Sequence, residues 1–286
     1  MGLDILVGAD PEVFVRKVGK KSFQSAHGMI EGDKKNPQKV HLGAVQVDGM
    51  ALEFNIDPAK NEKEFITNIT EVMRIMGEMV PGYEMVAQPV AKFTEAHMKK
   101  QPKEALELGC EPDFNAWKDG EVNPRPNGDV NFRTGAGHVH IGWTKDVDIN
   151  DPGHREACIM AVKQLDYYLG LGSLIYDTDT KRRTLYGAAG AFRPKPYGVE
   201  YRVLSNAWLQ SEELMAWVYR NTVKGINDLF EGKAAYGYRN DLLRTVMKEA
   251  NPNKYYIRHL MDKAGLECPP GWERARSPYD GFVKVA

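Results

Sequence analysis

Cysteine is scarce in this chain. Its 286 residues hold three, Cys110, Cys158 and Cys268, and no two form a Cys-x-x-Cys pair. A scattered, odd set excludes a disulfide framework and reads as small core residues of a reduced, intracellular protein. Net charge is nearly absent as well: 38 Lys and Arg stand against 39 Asp and Glu, leaving -1. No global field therefore draws in nucleic acid or a membrane surface. No apolar run reaches the ~20 residues a membrane helix needs. The opening stretch, MGLDILVGADPEVFV, lacks a basic segment followed by a long apolar one, so no secretory signal is read and the cytoplasm is the expected compartment. A P-loop of the form GxxxxGK[ST] is missing, and so is a GxGxxG strand-to-helix turn. Any nucleotide would have to be held in another way.

What is present is ordinary for a globular protein: 42% apolar and 27% charged residues. No linker, internal repeat or low-complexity tract divides the chain. One unit is expected over residues 1–286, with a core over 5–210 and a helical part over 211–286. Residues 5–15 read as a strand and 17–43 as a hairpin or flap. Residues 44–56 read as a two-stranded hairpin with Asp48-Gly49 as its turn signal. Asn61 with Glu64 resembles a capping box opening a helix to residue 79. Residues 112–134 look like loop, and 136–143 like a strand. A helix is expected over 154–171, a glycine-rich loop over 179–198 and a strand over 198–204. Ser211 should cap a helix to about Phe230, and two shorter helices follow, near 239–249 and 253–264. Hairpins separated by long helices favour α+β: a curved antiparallel sheet with one face covered by helices.

Successive side chains on a strand face opposite ways. In HVHIGW, His138 and His140 share one face and Val139, Ile141 and Trp143 the other. Asp10 and Glu12 share a face in DPEVFV, against Pro11, Val13 and Val15. Glu53 and Asn55 do so in LEFNI, and Glu200 and Arg202 in VEYRVL. Any one of these could be a solvated outer face. Four together are unusual, because ordinary wet faces favour Thr, Lys, Ser and Gln. If the four strands share a sheet, their acids crowd together and repel one another. Divalent cations relieve that, and a mixed carboxylate and imidazole set suits Mg²⁺ or Mn²⁺ better than Ca²⁺. Arginines beside them call for an anion such as phosphate. Acids, metals and arginines around one cavity fit nucleotide phosphoryl transfer. Because the face is polar, removing Glu53 or Glu200 is expected to cost little folding.

The motifs GADPE, GAGHVHIG and GVEYR, in this order, resemble the strands of carboxylate–amine ligases related to glutamine synthetase and glutamate–cysteine ligase. The closer resemblance is to the phage-type COOH–NH2 ligases, type 2. It is carried by GADPEVFV, the Gly32-Asp33-Lys34 flap, VDGMALEFNIDPA, GAGHVHIGW and FRPKPYGVEYRVLSNAW. The resemblance implies a glutamine-synthetase-like catalytic domain. It also implies an ATP-dependent ligase that joins a carboxylate and an amine through an acyl phosphate, in the host cytoplasm if phage-encoded. Position by position, Asp10, Glu12, Glu53, His138 and Glu200 resemble metal ligands, with Asp10 shorter than the family's usual Glu. His140 would hold an ATP phosphate or complete a metal shell. Arg193 and Arg202 would stabilise the charge moving between ATP and substrate. Arg183, or its neighbour Arg182, would do the same work, and Lys34 and Lys195 would reach phosphate. Gly135 and Gly137 would let backbone or ligand come close.

Other readings stand beside this one. A His/carboxylate hydrolase or cupin-type oxygenase would want a Glu about four residues past the second His, and HVHIGWTKD has none there. A non-catalytic nucleic-acid module is opposed by the balanced charge and the lack of an RNA-binding aromatic motif. His27, His41, His97, His154 and His259 read as structural or surface residues, and Trp208, Trp217 and Tyr219 as core. Relatives of such a fold often assemble, so a homo-oligomer stays open.

Overall fold

The computed structural model describes residues 4–106, 113–124, 131–177, 179–237, 240–249 and 252–271. Cys110, Pro112, Pro126 and Gly128, which fell in or beside the expected 112–134 loop, lie outside these residues. The fold is α+β, built on an 11-stranded sheet whose named strand pairs are all antiparallel. At its centre runs the opening strand, Leu6–Lys17. On one side it pairs with Ala51–Ile56, which pairs with Gly43–Asp48. On the other side it pairs with the His-x-His strand, Gly137–Gly142, followed by Gly198–Tyr201 and Ala191–Lys195.

Alternation decides which face is dry. Val7, Ala9, Val13, Leu52, Phe54, Val139, Ile141, Val199 and Tyr201 are buried on one face. Helices Glu62–Met79, Pro152–Leu165 and Glu212–Phe230 cover it. The first of these follows from its sequence. Asn61 Oδ1 accepts from the Glu64 amide at 2.9 Å, and Glu64 reaches back to the Lys60 amide at 2.7 Å. Phe65, Ile69, Val72 and Met76 then bury one stripe completely, each burial stabilising by about 1.5–3 kcal/mol. Trp208, Trp217 and Tyr219 are core, as their pattern predicts.

Two expectations need correction. Residues 179–198 are not a loop: they hold a short helix, Lys181–Leu185, and the strand Ala191–Lys195, which forms a hairpin with Gly198–Tyr201. Pro194 and Pro196 disguised that strand, since proline ordinarily argues against one. The glycines of GAG are explained by protein packing. A Cβ at Gly135 would overlap Asn206 and the Gln88 carbonyl, and one at Gly137 would overlap Ser205 and the Trp208 indole.

Candidate active site

Strand pairing gathers the polar residues of the uncovered face. Asp10 sits opposite His138, Glu12 opposite Glu53, and His140 opposite Glu200, whose other neighbour is Arg193. Directly paired residues share a face. The result is two groups of potential metal ligands, Asp10–His140–Glu200 and Glu12–Asp48–Glu53, each with its ligand atoms within 4.8 Å of one another.

In the first group, Asp10 Oδ1, His140 Nε2 and Glu200 Oε2 are buried and make no aligned hydrogen bond among the described residues. Charged neighbours are close, with His140 Nε2 3.1 Å from Asp10 Oδ2 and Lys195 Nζ 2.9 Å from Glu200 Oε2. Two carboxylates and an imidazole at this spacing form a mixed set of the kind that holds Mg²⁺ or Mn²⁺. The Tyr197 hydroxyl, 2.5 Å from His140 Nδ1, fixes the ring with Nε2 toward Asp10. Burial opposes charge on Asp10, but His140 and His138 outweigh it and hold the carboxyl well below its usual range. Burial and Asp10 work against charge on Glu200. Arg202 and the two imidazoles overcome them and bring it to about 2. His140 also resists its burial, and is raised by Asp10 and Glu200.

The second group is the opposite case. Burial and the neighbouring Asp48 raise Glu12 to about 7. Burial together with Asp10, Asp48 and Glu12 raises Glu53 well above the carboxylate range. Lys34, from the flap, reaches Asp48 Oδ1 at 2.7 Å. Three carboxyl groups crowded beside one lysine fit a divalent cation by the chemistry of the set, since oxygen-only donors suit Mg²⁺ or Mn²⁺.

His138 stands between the groups with both nitrogens engaged. Nδ1 is 3.2 Å from Asp10 Oδ1 and 3.4 Å from Glu200 Oε1, while Nε2 faces Arg182 at 3.3 Å. Burial and Arg202 lower it to about 4, which leaves a neutral ring at neutral pH. Guanidinium groups face both ring nitrogens, Arg182 at Nε2 and Arg202 Nη1 at 3.4 Å from Nδ1.

A cavity of about 450 Å³ opens over this face. Of the residues chosen from sequence, Asp10, Glu12, Glu53 and His138 line it, as do Lys34, Arg193, Lys195 and Arg202. An adjoining cavity of about 680 Å³ shares Asp10 and Glu53 with the first and has His140, Trp143 and Tyr197 in its walls. Glu200 lies at the base, 1% exposed, holding Arg202, Arg193 and Lys195. That corrects the expectation that it could be removed cheaply, because the buried Arg202 and the half-buried Arg193 and Lys195 would lose a partner. Arg183 is turned elsewhere, its guanidinium against Asp177 at 3.7 Å, while Arg182 lines the cavity.

Several participants were missed in the sequence. Asp48, read only as a turn residue, ends the strand Gly43–Asp48 and faces the site, and Gly49 and Met50 make the turn. Val45 and Val47 alternating with Gln46 and Asp48 carried that signal. Asp113, which accepts from Arg202 Nε at 3.2 Å, comes from a distant segment with no local signature. Two of the remaining histidines take other work: His97 stacks on Phe93, and His154 meets the Lys195 carbonyl.

No curated protein matches this chain. A family model does, over residues 130–224, about a third of the chain. The matched stretch contains the His-x-His strand, Arg182, and the hairpin that carries Arg193 and Glu200. It bears out the resemblance drawn from the motifs: over residues 130–224 the chain matches the phage phiEco32-like COOH·NH2 ligase-type 2 family.

Proposed function

We propose that the protein is an ATP-dependent ligase that activates a carboxylate as an acyl phosphate and passes the acyl group to an amine. The observation that carries this reading is the pair of ligand groups side by side on one sheet face, beside a cation-walled cavity lined by Asp10, Glu12, Asp48 and Glu53. Asp10, His140 and Glu200 would hold one Mg²⁺ or Mn²⁺, and Glu12, Asp48 and Glu53 a second. His140 fits a metal better than His138, because its Nε2 lies within the ligand group while both nitrogens of His138 face a guanidinium. Bound there, the ions would supply charge neutralisation for the phosphates.

The chain's own groups support the same chemistry. A substrate carboxylate oxygen attacks the γ-phosphorus and ADP departs. The amine nitrogen then attacks the acyl carbon, phosphate leaves, and the nitrogen loses its proton. Arg193 and Arg202 border the floor where negative charge shifts between oxygens, and a guanidinium fork suits that task. The adjoining cavity, with Trp143 and Tyr197 in its walls, has room and apolar surface for a nucleoside.

Counting bound Mn²⁺ tests the reading. Two ions per chain are expected, with Glu53→Gln removing one and Glu200→Gln the other. No binding, or two ions retained in both variants, would overturn it.

A further inference from the structure

Asp166 is a buried acid that the proposed chemistry leaves unused. It lies on the helix-covered face, fully buried, and opens a π-helical turn, Asp166–Gly170, between the helices Pro152–Leu165 and Leu171–Tyr176. Such turns interrupt the regular helix and are frequent at functional sites. A carboxyl in this position costs free energy unless donors surround it. Three do. Trp117 Nε1 donates to Oδ2 at 2.6 Å, the Tyr201 hydroxyl donates to Oδ1 at 2.8 Å, and the Gly190 amide adds a backbone hydrogen bond.

Each donor belongs to a segment that carries site residues on the other face of the sheet. Tyr201 stands between Glu200 and Arg202. Gly190 leads into Ala191–Lys195, which carries Arg193 and Lys195. Trp117 follows the short strand Phe114–Asn115, and Asp113, just before that strand, accepts from Arg202 Nε. This last segment has a short ladder. Its pairing with the hairpin consists of Ala191 with Asn115 and Phe192 with Phe114, and so short a ladder opens easily. The fit behind it is close: Gly190 has a φ of 79°, and a Cβ there would overlap the Trp117 indole. Asp166 therefore joins from behind the same segments that Arg202 joins in front through Asp113 and Glu200.

We infer that Asp166 is a positioning residue for the cation-bearing end of the site. Through Trp117 and Tyr201 it holds Asp113 against Arg202, and so fixes the plane of the Arg202 guanidinium beside Glu200. The catalytic meaning rests on the ligase reading: an arginine stabilises a transferring phosphoryl group best when its fork is already oriented. Asp166 belongs to neither ligand group, so it acts on the cations and not on the metals.

Side-chain NMR of the full chain tests this through the Arg202 Nε–H signal, assigned by its loss in Arg202→Lys. Trp117→Phe removes one donor at a half-buried ring and should speed exchange of that proton with water about tenfold or more. Asp166→Ala should speed it further. Asp166→Asn, which can accept from Trp117 and donate to the Tyr201 oxygen, should keep much of the protection. Where Asp166→Ala does not fold, Trp117→Phe and Asp166→Asn carry the test. Val72→Ala, in the helix Glu62–Met79, is the control for general loss of stability. Unchanged exchange in Trp117→Phe, or equal acceleration in Val72→Ala, would overturn the inference. Function is read with ADP, aluminium fluoride and Mg²⁺, which together mimic the transferring phosphoryl group. Trp117→Phe should bind this mimic about tenfold more weakly, yet bind a non-hydrolysable ATP analogue with Mn²⁺ within about twofold of wild type. Equal losses for both would contradict a positioning role. The arginine signal needs neither metal nor nucleotide, so failure of the two-ion count would overturn the ligase reading and leave this result intact.

Discussion

Lowering the pH from 8 to 6 should weaken the second ligand group far more than an ordinary carboxylate site. Glu12 is raised to about 7 by burial and by Asp48. A raised carboxyl keeps its proton in the metal-free protein until the pH passes that value, and a metal ligand must give the proton up. At pH 6 only about one chain in ten has Glu12 ionised, so binding there carries a cost of about 1.4 kcal/mol, or tenfold in affinity. At pH 8 the cost has nearly vanished. Glu53, also raised by burial and by three neighbouring carboxyls, steepens the dependence. Calorimetry of Mn²⁺ binding in two buffers of different ionisation enthalpy measures both quantities. At least one proton released per ion at pH 6, with affinity climbing at least tenfold from pH 6 to 8, is the expected result. A flat profile without proton release would refute the claim that burial and crowding hold these acids protonated.

Further outcomes follow from the same geometry. Asp48→Asn should lower affinity at the second group about tenfold or more and leave melting unchanged, because Asp48 sits at a half-buried strand end; isothermal titration with Mn²⁺ reads it, and wild-type affinity would remove Asp48 from the site. Arg202→Lys should cut turnover about a hundredfold, since one ammonium cannot meet both Glu200 and Asp113. ADP release assays measure this, and normal rates would speak against a role in catalysis. Asp166 lies on the covered face, beneath Tyr201. Burial raises it to about 7 despite hydrogen bonds from Trp117 at 2.6 Å and Tyr201 at 2.8 Å. A folded value above the unfolded one stabilises fully below about pH 4, and the effect is lost as pH rises toward 7. The contribution is about 4 kcal/mol, so chemical denaturation should show wild type losing stability over that interval relative to Asp166→Asn. Parallel curves would show that Asp166 does not titrate there.

Much of the site was legible because a strand's period is two. Asp10 with Glu12, Glu53 with Asn55, His138 with His140, and Glu200 with Arg202 each announced a polar face opposite an apolar one, and antiparallel pairing made those faces one. What pairing adds is register, which sequence does not state. It set His138 opposite Asp10 and His140 opposite Glu200. Asp48 was hidden by the strength of its own turn signal, since Asp-Gly marks a hairpin whether or not the Asp also faces a site. Arg182 and Arg183 could not be separated, because adjacent residues on a helix point about 100° apart and a five-residue helix shows no phase. The strand Ala191–Lys195 was masked by its prolines, and Asp113 reaches Arg202 across 89 positions, a pairing that only the fold makes.

If the sheet face takes a metal–nucleotide complex, calorimetry with a non-hydrolysable ATP analogue and Mn²⁺ on wild type and on Glu200→Gln will register it. Binding that requires the metal and disappears in a folded Glu200→Gln variant is the predicted result. Binding without metal, or equal binding by the variant, would contradict it.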